Sequence, residues 1–93
     1  MTKSVAVDCA RRGLHIRINS IHAGYTNTPL VAQAVASMGT TGERFVAATN
    51  KMIPLGRLAE AEEIARAVLF LASEDASYMV GAELVIDGGV CAT

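Results

Sequence analysis

One short run of this chain, residues 17–29, has the residue types and spacing most typical of a functional site, because a predicted β-strand there leads directly into a glycine turn. Thr28-Pro29 follows the turn at once and is typical of a helix start. In an open parallel α/β sheet, ligands bind just outside the carboxyl ends of the strands, where turns of this kind lie. The run therefore predicts a turn that lies against a bound ligand.

The other reactive side chains predict no metal site and no disulfide. Cys9 and Cys91 are the only cysteines, lie near opposite ends of the chain and have no zinc-ligand spacing. We therefore expect two free thiols in a reducing compartment. His22 admits two interpretations, a general base or a packed, hydrogen-bonded side chain, and its position after a strand favours the second.

Length and composition limit the class of protein. The 93 residues suffice for one domain, and a hydrophobic fraction of 52% predicts a core, built mainly from aliphatic side chains because aromatic residues make up only 4%. A net charge of -1 argues against nucleic-acid binding, which requires a basic surface. The longest apolar run, residues 67–72, is too short to span a membrane, and no signal peptide is visible, so a cytoplasmic location is expected.

Helices are predicted where apolar residues recur every three to four positions. The chain begins inside the first helix, residues 2–12, which is expected of a truncated sequence, and Gly13 ends it. Thr28 is placed to cap a helix over Leu30–Met38, with Pro29 at its first position. The expected continuation is a loop at Gly39–Gly42 and then helical turns over Glu43–Lys51.

The strongest helix prediction covers Glu60–Ser73, whose apolar stripe of Ile64, Val68 and Leu71 is expected to form core. Two strands complete the pattern, Leu14–Ile21 by alternation and Ala82–Ile86, which Asp87-Gly88-Gly89 closes. A strand, a crossover helix and a second strand imply a right-handed βαβ unit with parallel strands. The predicted fold class is therefore α/β, in the order helix, strand, helices, strand.

Five motifs now identify a family. Arg17–Gly24 matches a strand and turn of the form R-V-N-x-I-x-P-G, and Thr28-Pro29 follows it at the spacing of that family. The Pro-Leu-Gly-Arg run at 54–57, the helix at 60–73 and the terminus at 81–89 complete the order. Together they resemble the C-terminal third of a short-chain dehydrogenase/reductase, most like secondary-alcohol and hydroxysteroid dehydrogenases. The resemblance implies a single partial domain, 1–93, from the C-terminal portion of a Rossmann-type doubly wound parallel sheet.

The resemblance also implies site residues. The glycine turn would lie beside the nicotinamide ring of NAD or NADP, with Gly24 allowing the close approach, the Thr26 backbone pairing with the carboxamide, and Thr28 reaching the carboxamide or the diphosphate. Tyr25 and Leu30 would belong to the substrate pocket, and residues 29–52 would form its lid. For Thr28 helix capping is an equal alternative, and Tyr25 could equally cover the sheet end.

Other positions remain open or depart from the family. Arg57 either reaches a carboxylate or is solvated, and solvation is favoured. Ala23 stands where the family usually has proline. Because proline fixes φ, alanine should loosen the turn without removing the backbone groups that make its contacts.

Two parts that the family's hydride transfer requires are missing from these residues. The glycines never form the glycine-rich phosphate-binding spacing. The residues four positions after Tyr25 and Tyr78 are Pro29 and Ala82, so neither tyrosine has the lysine that would lower its pKa for catalysis. No catalytic residue is therefore assigned, and whether the chain is an enzyme stays open.

Two functions remain in competition. The chain is either a C-terminal fragment of an NAD(P)-dependent oxidoreductase acting on a small alcohol or ketone, inactive alone, or a non-catalytic interaction module derived from that family. The residues that choose between NAD and NADP are not in the sequence. Two strands are marginal alone, so we expect the chain to self-associate as a homo-oligomer, to pair with a missing N-terminal portion, or to be only partly ordered.

Overall fold

The computed structural model describes all residues, 1–93. The helices are α1 (Thr2–Arg11), α2 (Pro29–Ser37), α3 (Thr40–Met52) and α4 (Ala61–Ala72), and the strands are β1 (Ser20–Ala23), β2 (Thr26–Asn27), β3 (Ala59–Glu60) and β4 (Glu83–Ile86). Short 3-10 turns cover Glu74–Ala76 and Val90–Ala92. Contacts divide the chain into two compact units, residues 1–22 with 65–85 and residues 23–64 with 86–93.

In the first unit, α1 ends as the sequence predicts. Gly13 has φ +71° and donates to the Ala10 carbonyl, while the next amide, Leu14, donates back to Cys9 at 3.0 Å. This pair of bonds is the Schellman motif, which satisfies carbonyls that a helix end leaves unpaired and which favours glycine in the left-handed position.

The first strand is shorter than predicted. A strand over Leu14–Ile21 is wrong for residues 14–19, because β1 begins only at Ser20 and continues to Ala23. The reason is Asn19, whose side-chain amide donates to Met79 O at 3.1 Å and accepts from Ala82 N at 2.9 Å. The side chain therefore takes bonds that a backbone ladder would otherwise make.

Strands β1 and β4 run parallel. Gly81 N donates to Ile18 O at 2.8 Å and Ser20 N donates to Ala82 O at 3.0 Å, so the paired residue numbers rise together. The α/β class with parallel strands is confirmed, and the predicted strand over Ala82–Ile86 is confirmed to within one residue.

In the second unit, β2 and β3 form a parallel pair of two residues each, with Thr26 opposite Ala59 and Asn27 opposite Glu60. Neither strand is predicted from the sequence, since a two-residue strand is too short for an alternation pattern. They matter for function because they hold the turn that precedes α2 against the segment that precedes α4.

Helices α2 and α3 form a hairpin with almost no loop. The predicted loop over Gly39–Gly42 is wrong, because α3 begins at Thr40 and only Gly39, at φ +58°, breaks the helical path. Gly42 is buried inside α3, and a Cβ there would overlap the Val35 carbonyl oxygen. This glycine is therefore a close-packing residue of the helix pair, where the sequence suggested a loop.

Little apolar surface is buried within this chain. The buried apolar side chains are Ala6, Ile53 and Ala76, joined by Thr49. The bounds of α4 agree with the prediction to one residue, but its predicted core stripe is not formed: Val68 is 51% exposed, and Ile64 and Leu71 are half-buried. A stripe is buried only when another layer covers it, and each sheet here has two short strands.

Large apolar side chains are also exposed on α1, in the segment between α1 and β1, and after α4, for example at Val5, Ile16 and Val85. The expectation of a core based on the hydrophobic fraction was therefore wrong for this chain alone. No helix combines the length and the apolar character that crossing a membrane would require.

The Gly42 contact predicts a specific loss of stability. Gly42→Ala should lower the free energy of unfolding by about 1–3 kcal/mol, because the added methyl must displace the Val35 backbone. Alanine is the better helix former by about 1 kcal/mol, so a loss is diagnostic of the contact. Thr41→Ala, at an exposed neighbour, should change the value by less than about 0.5 kcal/mol. Urea unfolding measures both, and a Gly42→Ala chain as stable as the parent would contradict the packing.

Candidate functional site

The turn at 24–28 is held on both sides by backbone hydrogen bonds within the second unit. Gly24 N donates to Ile86 O at 2.9 Å, and Ala59 N donates to Tyr25 O at 2.9 Å. The first bond ties the turn to the end of β4, and the second ties it to β3. The backbone at Gly24 and Tyr25 is therefore fixed by two elements distant in sequence.

Gly24 has a structural requirement inside the chain. A Cβ built on it would lie 2.8 Å from both the Cα and the Cβ of Asp87, a separation that real side chains do not show. Its φ is not in the left-handed region, so the requirement is space alone. The structure thus gives Gly24 a reason that the family resemblance did not supply, and contact of Gly24 with a nicotinamide ring stays a prediction.

Thr26 offers a ligand its main chain more readily than its side chain. Its hydroxyl donates to Gly24 O at 3.0 Å. Because Ala59 N bonds the carbonyl of the preceding residue, Tyr25, the N–H and C=O of Thr26 itself point away from β3. One donor and one acceptor therefore face the same side of the turn.

Thr28 is a helix cap, as the sequence predicts. Its Oγ1 accepts from Val31 N at 3.2 Å, and Pro29 occupies the first position of α2. An accepting hydroxyl keeps its own proton, which can still be donated to a ligand. The capping role is confirmed, and the contact with a cofactor stays compatible with it.

Of the two predicted pocket residues, the structure places only one in a pocket. The half-exposed ring of Tyr25 lines two cavities. Leu30 is 77% exposed and lies outside the lining of both. The structure therefore brings Tyr25 to a pocket and leaves Leu30 on the surface of α2.

The smaller cavity, about 80 Å³, is closed on one side by an ion pair. Arg57 makes two bonds to the Glu63 carboxylate, at 2.7 and 3.1 Å, and Glu63 also accepts from Glu60 N at 2.9 Å, at the start of α4. The Glu63 hydrogen bond and charge raise the pKa of Arg57. Arg57 therefore reaches a carboxylate six positions along, and its side chain also remains 54% exposed to solvent, so the structure shows both predicted alternatives together.

The Asp87 side chain holds the backbone near the end of the chain by hydrogen bonds. Its carboxylate accepts from Gly89 N at 3.0 Å and from Cys91 N at 2.9 Å. Hydrogen bonds from Cys91, first from its thiol and then from its backbone, and one from the Gly89 backbone lower the pKa of Asp87; the same contact raises the pKa of the Cys91 thiol. Cys9 and Cys91 are both free, as expected.

The larger of these two cavities, about 340 Å³, lies against α2 and α3, within the residues 29–52 that the resemblance assigns to a substrate lid, although most of its lining residues were not named in advance. A helical repeat on α2 was available as a signal, because Val31, Ala34, Val35 and Met38 recur at intervals of three and four. Its lining is almost wholly apolar: Tyr25, Thr26, Val31, Ala34, Val35, Met38, Phe45, Thr49 and Leu58.

His22 is exposed and hydrogen-bonded, with Nε2 3.1 Å from Ser20 Oγ. The predicted hydrogen bond is confirmed and the predicted packing is not. No group of three acidic, histidine or cysteine side chains is arranged to hold a metal ion.

Comparison with known proteins identifies the family. A family model described as "Enoyl-(Acyl carrier protein) reductase" matches residues 1–91. A short chain dehydrogenase family protein from Francisella tularensis superposes with a TM-score of 0.83 at 34% identity, covering 100% of this chain and 39% of that one. The chain belongs to the short-chain dehydrogenase/reductase family, and its architecture is that of part of the Rossmann-type fold.

Two further proteins are informative. Cis-4-hydroxycyclohexanecarboxylate dehydrogenase of Sinomonas cyclohexanicum is 47% identical, with 99% of this chain covering 33% of that protein. A putative 2-deoxy-D-gluconate 3-dehydrogenase from Agrobacterium tumefaciens, solved with bound NADP, has a TM-score of 0.79 at 35% identity, covering 99% of this chain and 35% of that one. The chain thus spans about a third of the length of these relatives, as the motifs predict.

The Asp87 contacts predict a titration at low pH. Because the folded pKa is depressed, the stabilisation is complete above the usual pKa of 3.8 and is lost as the pH falls through the lower, folded value. The amide signals of Gly89 and Cys91 should therefore shift together, with a midpoint below pH 3.8. NMR titration measures this, and Asp87→Asn should abolish the step whereas Asp8→Asn should not. A midpoint at or above 3.8 in the parent chain would contradict the hydrogen bonding.

Proposed function

We propose that this chain forms the nicotinamide-facing and substrate-facing part of an NAD(P)-dependent short-chain oxidoreductase acting on an alcohol or ketone, and that it is inactive alone. The observation that carries the proposal is the fixed turn, in which the N–H and C=O of Thr26 point away from β3. A carboxamide carries one acceptor oxygen and an NH₂ donor, which match that pair of backbone groups.

The residues present fit the nicotinamide end of the cofactor. Thr26 would hold the carboxamide, and the Thr28 hydroxyl, with its proton unused by the cap, would donate to the carboxamide or the diphosphate. When bound, the nicotinamide ring supplies or accepts the hydride. The two backbone bonds at Gly24 and Ala59 orient this surface before any ligand arrives, which lowers the entropic cost of binding.

The names of two relatives support an alcohol or ketone as the substrate class. The Sinomonas enzyme carries the name of a hydroxylated cyclohexane as its substrate, and it shares 47% of its residues with this chain over the match. An NADP-dependent (R)-specific alcohol dehydrogenase is also 36% identical. We therefore propose that the substrate is a secondary alcohol or the corresponding ketone.

We expect the chain to be inactive by itself, because it lacks catalytic groups that the chemistry needs. A general acid must lie within hydrogen-bond reach of the substrate oxygen with a pKa near the working pH. Neither Tyr25 nor Tyr78 has a lysine four residues later, and no glycine-rich turn is present to bind the diphosphate. Those groups would come from a chain that supplies the rest of the family fold. Two free thiols suit a cytoplasmic setting for that assembly.

Titration of the 93-residue chain with nicotinamide mononucleotide, followed by amide NMR, tests the proposal. Saturable shifts should centre on Tyr25, Thr26 and Thr28, with weak affinity. Thr26→Val keeps the backbone N–H and should bind within about twofold of the parent, whereas Thr26→Pro removes that donor and should weaken binding about tenfold, the value of one hydrogen bond.

Two outcomes would contradict the proposal. Unchanged signals at the turn would refute the nicotinamide site. Micromolar binding of the dinucleotide together with turnover of an alcohol by the chain alone would refute its inactivity.

A second function, a non-catalytic interaction module, is favoured by one observation. Large apolar side chains such as Val68, Leu69 and Phe70 are exposed along one helix, and exposed apolar surface of this kind marks interaction sites. Sedimentation at rising concentration should then show self-association, and assembly without any response to nicotinamide mononucleotide would favour this function over the first. A monomer with a sharp cooperative melt would refute it.

A further inference from the structure

We propose that Arg57, anchored by Glu63, is a positioning residue that sets the direction and the donor strength of the Thr26 N–H for the nicotinamide carboxamide. This inference rests on the proposed function, because it takes the Thr26 backbone to hold the carboxamide. It adds a residue from a different segment of the chain, which reaches Thr26 through two peptide groups.

The segment between α3 and β3 belongs to no helix or strand. It contacts the candidate site at two points, since Leu55 N donates to Gly88 O at 3.2 Å and Ala59 N, at the start of β3, donates to Tyr25 O at 2.9 Å. No backbone ladder covers the residues between these two bonds. The chain therefore relies on side-chain bonds to direct the peptide group that leads into β3.

Arg57 supplies those bonds through one forked side chain. Its guanidinium donates twice to the Glu63 carboxylate, at 2.7 and 3.1 Å, and once to Leu58 O at 3.1 Å. Glu63 also accepts from Glu60 N at 2.9 Å. The backbone is therefore held on both sides of Ala59, by a planar fork whose geometry a single ammonium group does not reproduce.

Two peptide groups connect this side chain to the surface proposed for the ligand. The C=O of Leu58 and the N–H of Ala59 belong to one trans peptide, so they point in opposite directions. The same holds for the C=O of Tyr25 and the N–H of Thr26. Arg57 binds the first oxygen, Ala59 N binds the second, and the Thr26 N–H points away from β3. A change at the guanidinium therefore turns the donor that would meet the carboxamide.

The charge of the guanidinium acts through the same two peptide groups. A charged donor makes a stronger bond to a carbonyl oxygen than a neutral donor does. Hydrogen bonds in a chain polarise one another and gain strength by about 10–30% per bond. The bond at Leu58 O should therefore make Ala59 N–H a better donor, and that bond should in turn strengthen the Thr26 N–H.

The donors of Arg57 are largely used within the chain. Its bonds to Glu63 and to Leu58 O occupy three of the five N–H groups that a guanidinium carries. The Glu63 carboxylate also balances its positive charge. An arginine engaged in this way acts through the residues that it holds, and we therefore assign Arg57 no direct contact with the cofactor.

Amide NMR of the 93-residue chain without any ligand measures the coupling. Arg57→Gln removes the charge and the fork, and it should move the amide proton signals of Ala59 and Thr26 upfield together. Arg57→Lys keeps the charge and should recover at least half of both shifts. Arg11→Gln removes the same charge from an exposed position of α1 and should leave both signals in place.

Titration with nicotinamide mononucleotide measures the consequence for binding. Arg57→Gln should weaken binding about threefold to tenfold, Arg57→Lys by less than about threefold, and Arg11→Gln by less than about twofold. Glu63→Gln removes the anchoring charge but keeps an oxygen that can accept from Glu60 N. It should give a loss between those of Arg11→Gln and Arg57→Gln, and it carries the test if Arg57→Gln does not fold.

Three outcomes would overturn the proposal: an unmoved Thr26 signal in Arg57→Gln, unchanged binding in that variant, or an equal loss in Arg11→Gln. A loss in Arg57→Gln that Arg57→Lys does not reduce would also overturn it, because the charge would then play no part. Failure of the proposed function is a separate result. It would appear as no response of Thr26 in the parent chain to nicotinamide mononucleotide, while the ligand-free shift in Arg57→Gln persists.

Discussion

The close approach of Gly24 to Asp87 is the constraint on which the candidate site depends. With no Cβ on Gly24, its amide reaches the Ile86 carbonyl and its Cα lies against the Asp87 backbone. Asp87 in turn holds the last residues through the amides of Gly89 and Cys91. The turn that exposes the Thr26 backbone and the terminus that supports it are therefore one hydrogen-bonded arrangement, which a single methyl group on Gly24 would separate.

Stability and function draw on different parts of the chain. Within the second unit, Ile53 is buried, and Gly88 must be a glycine because a Cβ would lie 2.7 Å from the Ile53 Cγ2 atom. These contacts are local and specific, whereas the large apolar side chains of α4 remain exposed. Hydrophobic burial scales with the area removed from water, so a chain that leaves this area exposed depends on further surface for most of its stability. Its coverage of about a third of its relatives agrees with that dependence.

Features with a local chemical cause were predictable from the sequence. Gly13 at the end of α1, Thr28-Pro29 at the start of α2 and the amphipathic period of α4 each depend on nearby residues, and each is found within one residue of its predicted place. The family was also recognisable, because its motifs combine several such local signals in a fixed order.

Features that depend on contacts distant in sequence were not predictable. Asn19 shortens β1 by bonding residues 60 and 63 positions away, and Gly42 resembles a loop residue until its contact with Val35 is known. Arg57 pairs with Glu63 only because the chain turns into α4 between them. The cavity likewise depends on how two helices pack together, which the sequence does not show. The site residues divide in the same way: Thr28 followed from its cap, while the reason for Gly24 appeared only with Asp87.

Hydrogen exchange of the Gly24→Ala variant tests the central claim most directly. In the parent chain the amides of residue 24, Ala59, Gly89 and Cys91 are each bonded, and the account predicts that they are protected together. The added Cβ should raise the exchange rates of all four by about tenfold or more, the effect of 1–3 kcal/mol of overpacking. Gln33→Ala, at an exposed position of α2, should leave them unchanged. Unaltered protection at Ala59 and Cys91 in Gly24→Ala would contradict the account.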